Sequence, residues 1–193
     1  MSRSTLMAFG LVVVAIAAAI VLLLTGGGAS AGADDAQGDV RLSKGTGKPE
    51  KLALADIRSA TAARDGSDLV LEVEMDDSLP GELQKEALSW RWEIYESGQM
   101  TWLVSATVDL EPNVSVLATQ TDYQASSAGD SLPGDIELSG STVIVRLHSD
   151  EIDGFPDSFD WLVKFSLDGD RIETSSAVAS DRAPDDGYLR VDG

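Results

Sequence analysis

The chain contains no cysteine, one histidine and only 14 basic residues against 33 acidic ones in a length of 193. Without cysteine there is no disulfide framework, no thiolate zinc site and no cysteine nucleophile. One histidine excludes a multi-histidine metal centre. The shortage of positive charge leaves a net charge of −19. That argues against nucleic acid, whose binding rests on lysine and arginine neutralising phosphates, and equally against an electrostatic hold on anionic lipid. No glycine-rich phosphate loop is present either, so nucleotide chemistry has no motif to stand on.

What is present is acid, and it is biased. Aspartate outnumbers glutamate 22 to 11, and lysine supplies 5 of the basic residues. Aspartate favours turns because its carboxylate accepts hydrogen bonds from nearby backbone N–H groups. Much of the charge is therefore expected on loops, as solvated surface. Such a surface resists aggregation outside the cell, which is a statement about solubility and not about function.

Residues 6–24 (LMAFGLVVVAIAAAIVLLL) are apolar except for Gly10. At about 1.5 Å rise per residue they reach roughly 28 Å, the thickness of a bilayer's hydrocarbon core. The stretch reads as one N-terminal membrane-inserting helix, with Arg3 before it and Asp34 and Asp35 beyond it. This flank asymmetry puts the N-terminus inside and the bulk of the chain outside. Two fates stand: an uncleaved anchor that holds the protein to the membrane, or a signal peptide cut near Ala31 or Ala33, where small-x-small triplets occur. In both, the protein is extracytoplasmic. The expected organisation is a signal or anchor over 1–33, a polar glycine-rich stalk over 34–50 with a short strand around Val40 to Leu42, and one folded domain over 51–193.

From Lys51 onward the apolar period is two. Leu69, Leu71, Val73 and Met75 share one phase of Asp68–Met75. Trp90, Trp92 and Ile94 do so in Ser89–Glu96. Trp102, Val104, Ala106, Val108 and Leu110 alternate, as do Val143, Val145 and Leu147, and Phe159, Trp161, Val163, Phe165 and Leu167. Half-buried strands alternate in this way because successive side chains leave opposite faces of the pleat. Asp65-Gly66, Ser139-Gly140 and Asp168-Gly169 separate pairs of these runs as hairpin turns do. Only Leu79–Leu88 looks helical. The fold class expected is all-β, an antiparallel β-sandwich of immunoglobulin-like or jelly-roll type with about eight or nine strands.

The order of elements resembles the exported β-sandwich domains of the DOMON and family-nine carbohydrate-binding type, over roughly residues 39–187. The features are Gly38-Asp39-Val40, Asp56-Ile57, the DLVLEVEM strand, Asp122-Tyr123, the STVIVRLHSDEI segment and the closing Asp181-Arg182-Ala183-Pro184-Asp185-Asp186-Gly187. The resemblance implies the fold and export. The family includes sugar binders and haem-binding redox domains; the haem type uses methionine or histidine axial ligands, for which this chain shows no pattern.

Trp90, Trp92 and Trp102 could stack on a sugar ring, yet each falls in phase with core aliphatics, as Trp161 does. Tyr95 is out of phase and is the better exposed ligand-binding candidate. Asp150, Glu151, Asp153, Asp157 and Asp160 crowd into eleven residues and could supply oxygens to a structural calcium ion, though their spacing is not that of an EF-hand. Val70, Leu103, Ile144 and Leu162 occupy the solvent phase of four strands and would form a docking stripe if those strands adjoin. His148, at a strand end, reads as an ordinary surface histidine. No catalytic residue is assigned and no cofactor is expected beyond calcium.

The function expected is a non-catalytic extracytoplasmic binding or protein-interaction module of uncharacterised ligand, its partner a protein at the cell envelope or a polysaccharide. A carbohydrate-binding domain for surface or environmental polysaccharide is the first alternative. A glycoside hydrolase built on an acidic pair is the distant one.

Overall fold

The structure, a computed structural model, describes residues 30–42, 52–66, 68–79, 87–108, 114–121, 128–148, 154–168 and 177–193. In chain order these hold β1 (Ser30–Asp34), β2 (Arg41–Leu42), α1 (Leu52–Ala55), β3 (Ile57–Asp65), β4 (Asp68–Met75), β5 (Ala87–Glu96), β6 (Gln99–Val108), β7 (Val114–Thr121), β8 (Ala128–Pro133), β9 (Asp135–Ser139), β10 (Thr142–Leu147), β11 (Phe159–Asp168), β12 (Ala177–Ala183) and β13 (Leu189–Val191). The chain is all-β with two antiparallel sheets. One runs β1-β3-β4-β10-β9, the other β2-β12-β11-β5-β6-β7-β8 with β13 also on β11.

The alternation read from the sequence is the alternation that packs. Leu69, Leu71, Val73 and Met75 of β4 and Val143, Val145 and Leu147 of β10 are at most 1 % exposed and face the other sheet's Trp90, Trp92, Ile94, Trp161, Phe159 and Phe165 in one continuous core. Withdrawing each such side chain from water is worth about 1.5–3 kcal/mol, which is what holds the two sheets together. Trp90 and Phe165 meet at a ring separation of 5.3 Å. Phe155 plugs one end, against Trp102 at 5.3 Å and Phe159 at 5.2 Å, with the Arg64 guanidinium 4.8 Å above its ring.

Hairpin turns sit where glycine permits positive φ: Gly66 (64°) joins β3 to β4, and Gly140 (62°) joins β9 to β10. A third, Ser97-Gly98 (52° and 79°), joins β5 to β6. It carries the same Ser-Gly signal as Ser139-Gly140 but does not appear among the sequence-based expectations. Gly169 lies outside the described residues.

Several expectations need adjusting. Thirteen strands stand among the described residues, against eight or nine expected. Those missed are short (β13, three residues) or carry little alternation: β12 (AVASDRA) turns Ala179, Asp181 and Ala183 inward. The expected helix Leu79–Leu88 fails at its C-terminal end, where Ala87 and Leu88 open β5; residues 80–86 lie outside the described residues. Residues assigned to the leader's end and the stalk are partly built into the sheets: Ser30–Asp34 pairs with Ser59–Ala63, and Arg41 and Leu42 pair with Ser180 and Ala179. The apolar stretch 6–24 lies outside the described residues, among which no helix is long and apolar enough to cross a membrane.

Candidate functional site

The solvent side of the seven-strand path is where side chains of unlike chemistry gather. Along β5 the outward positions are Ser89, Arg91, Glu93 and Tyr95, because Leu88, Trp90, Trp92 and Ile94 fill the core. Register then sets their neighbours. Arg91 lies opposite Lys164 of β11, and Lys164 opposite Arg182 of β12. Three cations thus stand side by side across three strands, within about 10 Å given the ~4.8 Å strand spacing. The next row carries hydroxyls: Ser180, Ser166, Ser89 and Thr107 follow one another from β12 to β6, and Arg41 of β2 opposes Ser180.

Beside these rows lies a cleft of about 320 Å³. It is lined by Arg41, Arg91, Lys164, Ser166, Ser180 and Arg182 together with Asp39, Asp181 and Asp185. Beside it, β2 pairs β12 through Ala179 and Ser180. The chain from Pro184 to Tyr188 then leaves the sheet between β12 and β13, which continue along the same edge of β11. Arg182 Nη2 donates to Gly187 O at 2.7 Å and ties this excursion down. Arg182 Nε is buried and without a partner.

Glu93 balances part of the charge. Its Oε1 accepts from Lys164 Nζ at 2.6 Å and its Oε2 from the Tyr95 hydroxyl at 2.8 Å. Burial alone would raise the carboxyl, but those two hydrogen bonds and the charges of Lys164 and Arg91 outweigh it and hold it below its usual range. Burial and the bond to Glu93 raise the Tyr95 phenol, so it stays a neutral donor. Its ring lies 4.6 Å from that of Tyr188, which is 53 % exposed.

A carboxylate cluster adjoins the cleft, which Asp39 and Asp181 also line. Asp35 and Asp39 come from the turn after β1, Asp181 from the inward face of β12. One oxygen from each lies within 4.8 Å of the others. Asp56 fixes the turn: its Oδ2 accepts from Gly38 N at 2.7 Å, and the φ of 84° at Gly38 requires glycine there. Asp181 Oδ2 accepts from Ile57 N at 2.7 Å. Burial, with Asp181, Asp185 and Asp39 alongside, pushes the Asp35 carboxyl up to about 7. Burial pushes Asp181 up to about 6 despite two backbone hydrogen bonds. Asp185 is raised chiefly by its hydrogen bond to Asp39. These three side chains could share a hard cation, supplying part of the six to eight oxygens calcium takes. The available sequence signal was Gly38-Asp39 and Asp181-to-Asp186, but only folding brings residues 146 positions apart to one point.

The other candidates are placed as follows. Trp90 and Trp92 are 0 % exposed and Trp102 3 %, so their rings offer no face to a sugar, and that expectation is corrected. Tyr95 does lie on the outer face. Val70 and Ile144 belong to one sheet, Leu103 and Leu162 to the other, so the four cannot form one stripe. Val70 and Leu162 are moreover only 3 % and 2 % exposed, and Leu103 and Leu162 flank Glu93. Asp160 Oδ1 accepts from Arg190 Nη1 at 3.1 Å, and Asp157 is exposed near Arg64. Asp150, Glu151 and Asp153 lie outside the described residues. His148 bridges two carboxylates, Asp68 at 3.2 Å and Asp135 at 3.3 Å. Residues 28–32 (GASAG) fit the letters of the nucleophile-elbow pattern, a match that sequence reasoning overlooked. Ser30, however, opens the exposed edge strand β1 opposite Ala63 and is not on a strand-to-helix turn.

No known protein family matches this chain, nor does any curated protein or solved structure.

Proposed function

We propose that the protein is a non-catalytic, extracytoplasmic binding module whose ligand lies on the outer face of the larger sheet. The observation that carries this reading is the cleft of about 320 Å³ in which Arg41, Arg91, Lys164, Ser166, Ser180 and Arg182 of adjoining strands meet Asp39, Asp181 and Asp185, flanked by the Tyr95–Tyr188 pair. Export is supported by the apolar stretch 6–24 and the single Arg3 before it. The failure of the four aliphatics to form one apolar stripe favours carbohydrate over protein as the ligand.

The test is a photo-crosslinking residue placed at Ser105, on the outer face of the larger sheet, or at Glu137, on that of the smaller one, in cells displaying the chain. Crosslinks to envelope material from position 105 alone are expected. Equal yields from both positions would overturn the assignment of the face, and crosslinks only to cytoplasmic material would overturn export.

A further inference from the structure

The cations of this protein are few and unevenly used. Four of its 14, namely Arg41, Arg91, Lys164 and Arg182, line a single cleft. Arg182, Lys164 and Arg91 are direct cross-strand neighbours, an arrangement that disfavours the folded sheet because like charges face each other. Chain-wide, acids outnumber bases more than twofold, so carboxylates to separate these cations were abundantly available. Only Lys164 has one at salt-bridge distance among the described residues, in Glu93 at 2.6 Å. Arg91 and Arg41 have none there, although Asp185 lies near enough to Arg182 and Arg41 to feel their charge, and Arg182 keeps a buried Nε without a hydrogen-bond partner.

From this we infer that the cleft binds an anionic glycan, a saccharide whose rings carry carboxylate or sulfate groups. The proposal rests on the reading of this face as the binding surface and adds the ligand's chemical class. Guanidinium groups match the planar, two-oxygen geometry of carboxylate and sulfate. The Ser180–Ser166–Ser89–Thr107 row beside them supplies donors and acceptors for sugar hydroxyls. On β5, Tyr95 lies four residues from Arg91, about 13 Å along the strand, so a short oligosaccharide spans from the tyrosine pair to the cation row. A dense polyanion is disfavoured: double-stranded nucleic acid carries one charge per ~1.7 Å and would meet the surrounding acids. A glycan with charges spread among hydroxyls matches a short cation row set in an acidic surface. Asp39 and Asp185 also line the cleft, beside Arg41 and Arg182, where they accept hydrogen bonds from neutral hydroxyls and leave Lys164 and Arg91 to the anionic group.

The test uses the full-length chain in mild detergent and measures calorimetric binding to polygalacturonate, dextran sulfate and uncharged dextran at low and high salt. Polygalacturonate separates carboxylate from sulfate as the recognised group. Saturable binding to either charged polymer is expected, weakened by salt and lowered about tenfold by Arg91→Gln, the loss of one charge-assisted contact. Arg58→Gln removes the same charge from the other sheet and should leave affinity unchanged. Both arginines are exposed, so neither variant threatens the fold, and far-UV circular dichroism confirms it. Equal weakening by both variants, or no binding to either charged polymer, overturns the inference. Binding to dextran that Arg91→Gln leaves intact but Tyr188→Ala abolishes also overturns it, while the binding-face reading survives. If no polymer binds and crosslinking from position 105 is also absent, both fall.

Discussion

Replacing Asp35 with asparagine is expected to stabilise the protein at pH 8 and to have almost no effect at pH 5. Asp35 Oδ2 is buried without a hydrogen-bond partner, and burial together with Asp181, Asp185 and Asp39 raises its carboxyl from 3.8 to about 7. A raised folded-state value means that the native state holds a proton the unfolded chain has released. The stability associated with that proton is fully present below pH ~4 and is lost as pH rises through ~7. A shift of about three units corresponds to a ceiling of about 4 kcal/mol at 1.36 kcal/mol per unit. The side chain is only partly buried, so solvent screening reduces the effect to about 1–2 kcal/mol. For a chain of this size that is about 2–8 °C in melting temperature. The assay is thermal unfolding of wild type and Asp35→Asn from pH 5 to 8, with chelator present so that protonation alone is read. The wild type should melt lower as pH rises from 5 to 8, and the variant should remove part of that slope. A variant that melts below wild type at pH 8, or a difference that does not change with pH, would refute the reasoning.

Three further outcomes follow from the geometry. His148 should titrate above 6.5 by NMR, because hydrogen bonds from its ring to Asp135 and Asp68 favour its charged form; its stabilising contribution is present below 6.5 and fades as pH rises through the raised value. Asp135→Asn should move the titration back toward 6.5, and a titration at or below 6.5 in wild type would contradict the bridge. All four tryptophans are at most 3 % exposed, so emission should be blue-shifted and inaccessible to iodide, and Trp90→Ala should cost about 3–5 kcal/mol. Removing Ser30–Asp34 uncovers the hydrogen-bonding edge of β3, so a chain beginning at Asp35 should melt lower and self-associate by size exclusion more than one beginning at Ser30.

How much of this was legible depended on the kind of signal. Strands β4, β5, β6, β10 and β11 announce themselves because each alternates large apolar residues with polar ones, the pattern a two-layer core demands. Strand β1 (SAGAD) does not, since an edge strand of small residues buries little and resembles a leader's cleavage region. Strand β12 turns Asp181 into the core side, where a hydrogen bond from Ile57 N replaces apolar contact. The tryptophans were readable as core from their phase alone. The cation row was not, because Arg91, Lys164 and Arg182 are isolated charges in sequence and become neighbours only through the β5-β11-β12 register. The carboxylate cluster was hidden for the same reason. The aliphatic stripe failed on the opposite error: positions of equal phase were assumed to share a sheet.

The most direct test of the account is obstruction of the cleft. Ser166 lines it from the centre of the outer face, and Ser166→Trp fills it without touching the core. Binding of the full-length chain to an array of charged and uncharged polysaccharides should be saturable for wild type and abolished by Ser166→Trp, with far-UV circular dichroism unchanged. A ligand bound equally well by wild type and Ser166→Trp would contradict the claim that the outer face of the larger sheet is the binding face.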